Sequence, residues 1–190
     1  AALDPVAHAS ASAATFTAAA TAGGDKIGQG FVHPKDKLLY VPYQIAGTTV
    51  IGILTGTGDN ASHWAPAAFT LPANMIITGL THYGNYLAIA CTTTNTSNIP
   101  NSTNASVVYL WDRDTSNSLP NESIAWGDNL LQGINNLNGV LVGISKYLDD
   151  DNTSLLIKGY AGGEAEVIKE ISAIKQTTTS PNLTINTRVN

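Results

Sequence analysis

Charge is scarce in this chain. Of its 190 residues only 12% are Asp, Glu, Lys or Arg, about half the roughly 25% usual in a globular domain. The nine Lys and Arg are scattered and the formal net charge is −5. Affinity for a phosphate backbone comes from clustered cations, so nucleic acid is excluded as a partner. Asn, Thr, Ser, Ala and Gly supply the polar surface instead. Such a surface suits a protein held in a fixed assembly or placed outside a cell.

Cysteine is nearly absent. Cys91 stands alone, which excludes an intramolecular disulfide and a cysteine-based metal site. It ends the apolar run YLAIAC, so a buried, inert thiol is expected. No run approaches the ~20 apolar residues that span a bilayer, so no membrane span is expected. G-x-S-x-G, Walker A, H-E-x-x-H and G-x-G-x-x-G sequences are all missing. The glycines of GTGDN (56–60) and AGG (161–163) read as loop residues, since a phosphate cradle needs a helix behind it. Asp112, Glu122 and Asp128 are carboxylates, but nothing selects a pair for glycosidic cleavage. The expectation is a protein that is not an enzyme and holds no cofactor, calcium being the one ion left open below.

What is present is a repeat. GFVHPKDKLLYV, GLTHYGNYLAIA and GINNLNGVLVGI align without a gap on Gly30, Gly79 and Gly133. Each places an apolar residue after the glycine (Phe31, Leu80, Ile134), then a turn, then an apolar strand. Gly79, Gly84, Gly133, Asn138 and Gly139 are read together as the structural turn residues of these hairpins. Asn-Gly between two apolar runs is a strong hairpin signal. Each unit continues with a second β-rich run: TTVIGIL (48–54), SVVYLWD (106–112) and SLLIKGY (154–160). A further strand candidate follows in each: HWAPAAFTL (63–71), ESIAW (122–126) and EAEVIKEI (164–171). The last has helical spacing too, but its place in the repeat favours a strand.

Four short antiparallel strands per unit of about 40 to 55 residues describe a propeller blade. Stacking between neighbours covers both faces of such a sheet, and the near-continuous apolar runs VVYLW and VLVGI fit strands buried on both sides. The expected fold is therefore all-β, with about three propeller-like units of four-stranded antiparallel sheet. The alternative is a β-sandwich. The expected organisation is an Ala/Ser/Thr-rich segment or linker over 1–25, units over 26–74, 75–129 and 130–175, and a C-terminal strand or tail over 176–190. The opening segment has no basic stretch followed by an apolar one and is not read as a signal peptide. Three units fall short of the four blades of the smallest closed propeller. The chain is then part of a larger ring, or its two ends (FTAAATA and LTINTRVN) pair as a further blade, or copies associate to close it.

Four groups of residues carry candidate chemistry. His33 and His82 fall at the same repeat position, where the third unit has Asn136. No histidine pair has metal-ligand spacing, so these are expected to hydrogen-bond at turns or between neighbouring units. DRDTSN and DDDNTS offer Asp112 and Asp114, and Asp149 and Asp151, as oxygen ligands for calcium. Neither has the glycine and distal Glu of an EF-hand loop, and Asp and Asn favour such turns for local reasons. Trp64, Trp111 and Trp126 are candidate contacts for a glycan, against the reading that they pack between strands. Seven Asn-x-Ser/Thr sequons, at Asn60, Asn95, Asn101, Asn104, Asn121, Asn152 and Asn182, follow from the Asn/Ser/Thr-rich composition or mark a glycosylated secreted protein.

The order YGNYLAIA, then VVYLWDRDT, then SIAWGDNLLQGINNLNGVLVGIS resembles the propeller-type virion proteins of tailed bacteriophages, over about residues 76 to 171. The matching residues are Tyr86 to Ala90, Tyr109 to Arg113, Trp126 to Asp128 and Asn138 to Gly143. The first unit departs from the pattern, with Pro34 in its turn and no WDR-like ending. The resemblance implies a structural or adhesion module of a virion or other extracellular particle, presenting loops such as 92–105 to subunits or a receptor, with a homo-oligomer among the assemblies. The alternatives are a secreted or cell-surface carbohydrate-binding propeller and a glycoside hydrolase fragment.

Overall fold

The computed structural model describes residues 28–45, 48–55, 64–93, 105–117, 119–127, 129–146, 155–173 and 185–186. Every regular element among them is a β-strand. The first sheet is a meander of β1 (Phe31–Val32), β2 (Leu39–Ile45), β3 (Thr48–Leu54) and β4 (Trp64–Thr70). The second runs β5 (Met75–Tyr83), β6 (Tyr86–Thr93), β7 (Ser106–Trp111) and β8 (Glu122–Gly127). The third runs β9 (Leu130–Leu137), β10 (Val140–Lys146), β11 (Leu155–Tyr160) and β12 (Glu166–Ala173). A short β13 (Ile185–Asn186) pairs antiparallel with the outer edge of β12. The C-terminal stretch thus extends the third sheet, while FTAAATA lies outside the described residues.

Hairpin register carries the repeat into three dimensions. Phe31 pairs with Tyr40, Leu80 with Ile89 and Ile134 with Gly143. These are the same two positions of the aligned twelve-residue units. The turns differ in construction. β9 and β10 are joined by Asn138-Gly139, both left-handed at φ 52° and 87°, the geometry that makes Asn-Gly the preferred two-residue hairpin loop. Gly84 alone takes positive φ between β5 and β6, at 56°.

Gly79 and Gly133, grouped with the turn residues on sequence, lie inside β5 and β9 instead. For Gly79 the role is close approach. A Cβ on Gly79 would stand 3.2 Å from the Ile134 amide nitrogen and 3.6 Å from the Gly133 Cα. Gly79 lets the inner strands of adjacent sheets nearly touch, whereas a Cβ on Gly133 would meet nothing within 4 Å.

The sheets stack in chain order. The middle sheet is buried on both faces, as a propeller-like arrangement requires. Leu87, Ile89, Cys91 and Trp111 pack with Tyr40, Ile51, Ile53, Phe69 and Leu71 of the first sheet. On the opposite face Ala88, Ala90, Val108, Leu110, Ile124 and Trp126 pack with Leu131, Leu141 and Tyr160 of the third. The period of two along β6 sends odd residues one way and even residues the other. Three stacked sheets are more than a two-sheet sandwich, and they do not close into a ring.

The third sheet is where burial departs from the reading of VLVGI as a strand covered on both sides. Leu141 and Gly143 face the second sheet, and the Trp126 ring lies where a Gly143 Cβ would sit, with Cζ2 at 2.7 Å. Val140 and Val142 are half-buried and Ile144 is 48% exposed on the other face. This sheet ends the stack, so only one of its faces is covered.

Candidate functional site

Trp111 and Trp126 are wholly excluded from solvent. Trp111 packs against Phe69 at 5.2 Å between ring centroids, and its Nε1 donates to the Asn117 carbonyl at 2.9 Å. Trp126 fills the space between the second and third sheets above Gly143. A ring sealed on both faces has no platform for a sugar, so both indoles are packing residues. Trp64 opens β4, where its backbone pairs with Leu54; its side chain lies outside the described residues.

The carboxylates of the β7–β8 loop are occupied by the loop itself. Asp112 Oδ1 accepts from the Asp114 amide at 3.0 Å, and Oδ2 accepts from Asn121 Nδ2 at 2.9 Å. Asn121 Oδ1 returns the contact by accepting from the Asp112 amide at 2.7 Å. Asn121, one of the sequon asparagines, therefore spends its side chain on the turn. Asp114 Oδ1 accepts from both the hydroxyl and the amide of Ser116, and these bonds hold its carboxyl below the usual range. Among the described residues no three His, Cys, Asp or Glu side chains gather at one point. Asp149, Asp151, Asp128 and residues 94–104 of the long loop lie outside the described residues.

The most developed polar site is one that repeat position only hinted at. His33 and His82 meet across the first and second sheets with ring centroids 6.1 Å apart. His33 is fully buried. Its Nδ1 accepts from the Lys35 amide at 3.2 Å and from the Arg113 guanidinium at 2.9 Å. That leaves Nε2 to carry the proton and donate to the Tyr86 carbonyl, 3.3 Å away. The ring is thereby held neutral in one tautomer. Burial first, and the Arg113 charge second, lower its pKa from the ordinary 6.5.

Arg113 also donates to Asp36 Oδ2, which accepts from the Tyr40 hydroxyl at 2.9 Å. Asp36 Oδ1 accepts from the Leu38 amide at 3.0 Å. Burial alone would raise the Asp36 carboxyl; the Leu38 and Tyr40 hydrogen bonds and the Arg113 charge outweigh it and lower it. Arg113 sits at φ 71°, a sparsely populated region for a residue other than glycine. Phe31 stacks on His82 at 6.2 Å. The guanidinium ties the β7–β8 loop to the β1–β2 loop, and His33 in turn reaches the carbonyl of Tyr86 at the start of β6.

The second and third sheets are tied in a related way. Asn136, at the repeat position of the two histidines, donates from Nδ2 to the His82 carbonyl at 2.7 Å. Buried Ser106 accepts from the Leu131 amide at 2.8 Å and donates to the Asn129 carbonyl. At the rim, a cleft of about 590 Å³ runs between β8 and the β11–β12 turn. Its charged groups again join the sheets: Lys158 Nζ donates to the Trp126 carbonyl at 2.7 Å and Tyr160 donates to Glu122 at 3.3 Å.

The remaining feature is the open face of the third sheet. Cross-strand pairing places Leu137, Val140, Val142, Ile144, Leu155 and Ile157 on one side. Ile168 joins them, its Cδ1 against the position of a Gly159 Cβ beside Val140. Leu137 is 63%, Leu155 39% and Ile168 60% exposed. No strand pattern in the sequence separated this face from a covered one.

Fold and surface together define an all-β stack of repeated four-stranded sheets, fastened by inter-sheet polar contacts and ending in an apolar face. No family model matches the chain, and no curated protein matches it. Among the described residues no helix is long and apolar enough to cross a membrane.

Proposed function

We propose that the chain is a non-enzymatic structural or adhesion module of a virion or other extracellular particle. The observation that carries this reading is the open aliphatic face of the third sheet. Contiguous exposed apolar surface of this kind marks a site of association, and burying it contributes roughly 25 cal/mol per Å². The stack supplies a rigid body, the open face joins it to the particle, and the loops at the strand ends meet subunits or a receptor. The low charge suits a subunit whose neighbours are fixed, and the resemblance of residues 76–171 to phage virion proteins supplies the setting.

Purified particles from the source should contain the chain as a stoichiometric component by quantitative mass spectrometry. Ile144→Lys should reduce its incorporation while leaving it folded. Recovery of the wild-type chain only as free protein, outside any particle, would overturn the proposal.

A further inference from the structure

The contact between the second and third sheets holds polar groups that its own residues do not satisfy. Among the described residues, Trp126 Nε1, Asn129 Oδ1 and Ser145 Oγ are buried without a hydrogen-bond partner. Trp126 and Ser145 are wholly excluded from solvent, and Asn129 is 2% exposed. Buried polar groups are nearly always hydrogen-bonded, either to protein or to ordered water.

Strand register brings the three together. Ser145 pairs with Leu131, and alternation turns its side chain the same way as Leu141 and Gly143, toward the second sheet. Ile144, between them, points to the exposed side. The Leu131 side chain and the Trp126 ring both lie against the position of a Gly143 Cβ. Leu131 Cδ1 is 2.8 Å from it, and Trp126 Cε2, the ring atom bonded to Nε1, is 3.0 Å from it. Asn129 stands two residues before Leu131, with its Nδ2 3.9 Å from the position of a Gly127 Cβ. Gly127 directly follows Trp126. Indole, hydroxyl and amide thus gather around Leu131 at one corner of the contact.

Their chemistry is complementary to a single small polar guest. The indole nitrogen can only donate, the amide oxygen can only accept, and the hydroxyl does both. The buried hydroxyl beside them, Ser106, gives its one proton to the Asn129 carbonyl and has none for Asn129 Oδ1. An apolar guest would satisfy none of the three, and an indole N–H does not face a cation.

We propose that an ordered internal water bridges Trp126 Nε1, Asn129 Oδ1 and Ser145 Oγ and fastens the third sheet to the second. It accepts from the indole, donates to the amide oxygen and makes its next hydrogen bond with the hydroxyl. Buried waters typically make about 3 hydrogen bonds, which matches the groups on offer. The first and second sheets are tied directly through Arg113; this corner of the next contact is tied through water.

Nuclear magnetic resonance on the full chain, labelled with ¹⁵N at tryptophan, tests it. Cross-peaks between water and the indole N–H protons are recorded in the laboratory frame and in the rotating frame. A water held beside the Trp126 proton gives peaks of opposite sign in the two experiments, whereas proton exchange with solvent gives the same sign. Trp111 is the internal control, equally buried but donating to the Asn117 carbonyl at 2.9 Å. The expected result is an opposite-signed contact at Trp126 and none at Trp111. In Ser145→Ala the contact should remain, because the indole and the amide still hold the water. Its loss in that variant would assign the signal to the serine hydroxyl and overturn the proposal. Absence of a contact at Trp126 in the wild type, or peaks of the same sign, would overturn it too. An equal contact at Trp111 would show general solvent penetration and also overturn it.

Discussion

Replacing Arg113 by Met removes the group that ties the first sheet to the second and keeps most of its aliphatic stem. Arg113 is 11% and Asp36 26% exposed in their side chains. Removing one partner of a fully buried pair costs about 3–5 kcal/mol; the partial exposure of Asp36 lets water recover part of that, so about 2 kcal/mol is expected. His33 Nδ1 loses one of its two donors but keeps the Lys35 amide. The pH dependence separates this account from a simple packing defect. Because the folded-state pKa of His33 is lowered, the unfolded chain takes up its proton first. Stability is therefore full above the ordinary value of 6.5 and is lost as pH falls below it toward the folded value. A tenfold difference in proton affinity between the two states corresponds to about 1.4 kcal/mol. The groups facing His33 are Arg113, Asp36, His82 and Tyr40. Asp36 adds a separate loss below its ordinary 3.8, since its folded pKa is also lowered. In Arg113→Met one of the two main causes of the His33 shift is gone. Urea unfolding from pH 7.5 to 5 should show a wild-type midpoint that falls with acid and a variant midpoint that starts lower and falls less. Parallel curves, or a variant within 0.5 kcal/mol of wild type at pH 7.5, an ordinary surface effect, would refute the reasoning.

Trp126→Ala should destabilise by about 3–5 kcal/mol, the cost of emptying a large aromatic site; a folded variant of wild-type stability would contradict its place between the second and third sheets. Cys91, fully buried with its thiol pushed well above the ordinary range by burial, should resist a thiol reagent in the native state and react in denaturant. Rapid native labelling would be incompatible with a closed core between the first two sheets. Asn138→Ala should cost about 1 kcal/mol in thermal or urea unfolding, because Asn138 holds φ 52° and alanine pays more for that conformation.

What the sequence made legible is local. The three aligned twelve-residue units predicted hairpins whose registers coincide, because turn type and alternation are written within a few residues of each other. The same pattern placed His33 and His82 on neighbouring sheets, where their rings meet. The role of Gly79 was less legible, since a glycine before a hairpin reads the same in a turn as in a strand needing close approach. Trp111 and Trp126 read on sequence as packing residues that could also have met a ligand; the stacking order decides for packing. Asp36 and Arg113 lie 77 positions apart, and neither has a local signal that could announce the other. The open face is the largest departure. VLVGI has the same alternation whether one side is covered or two, and which sheet ends the stack is a property of the whole chain.

Hydroxyl-radical footprinting of the chain, free under dissociating conditions and then assembled, tests the central claim most directly. Leu137, Leu155 and Ile168 should be modified in the free chain and protected on assembly, while Val32 and Leu119, exposed elsewhere at 54% and 69%, react equally in both. Protection at Val32 and Leu119 with the third sheet unchanged would contradict the account.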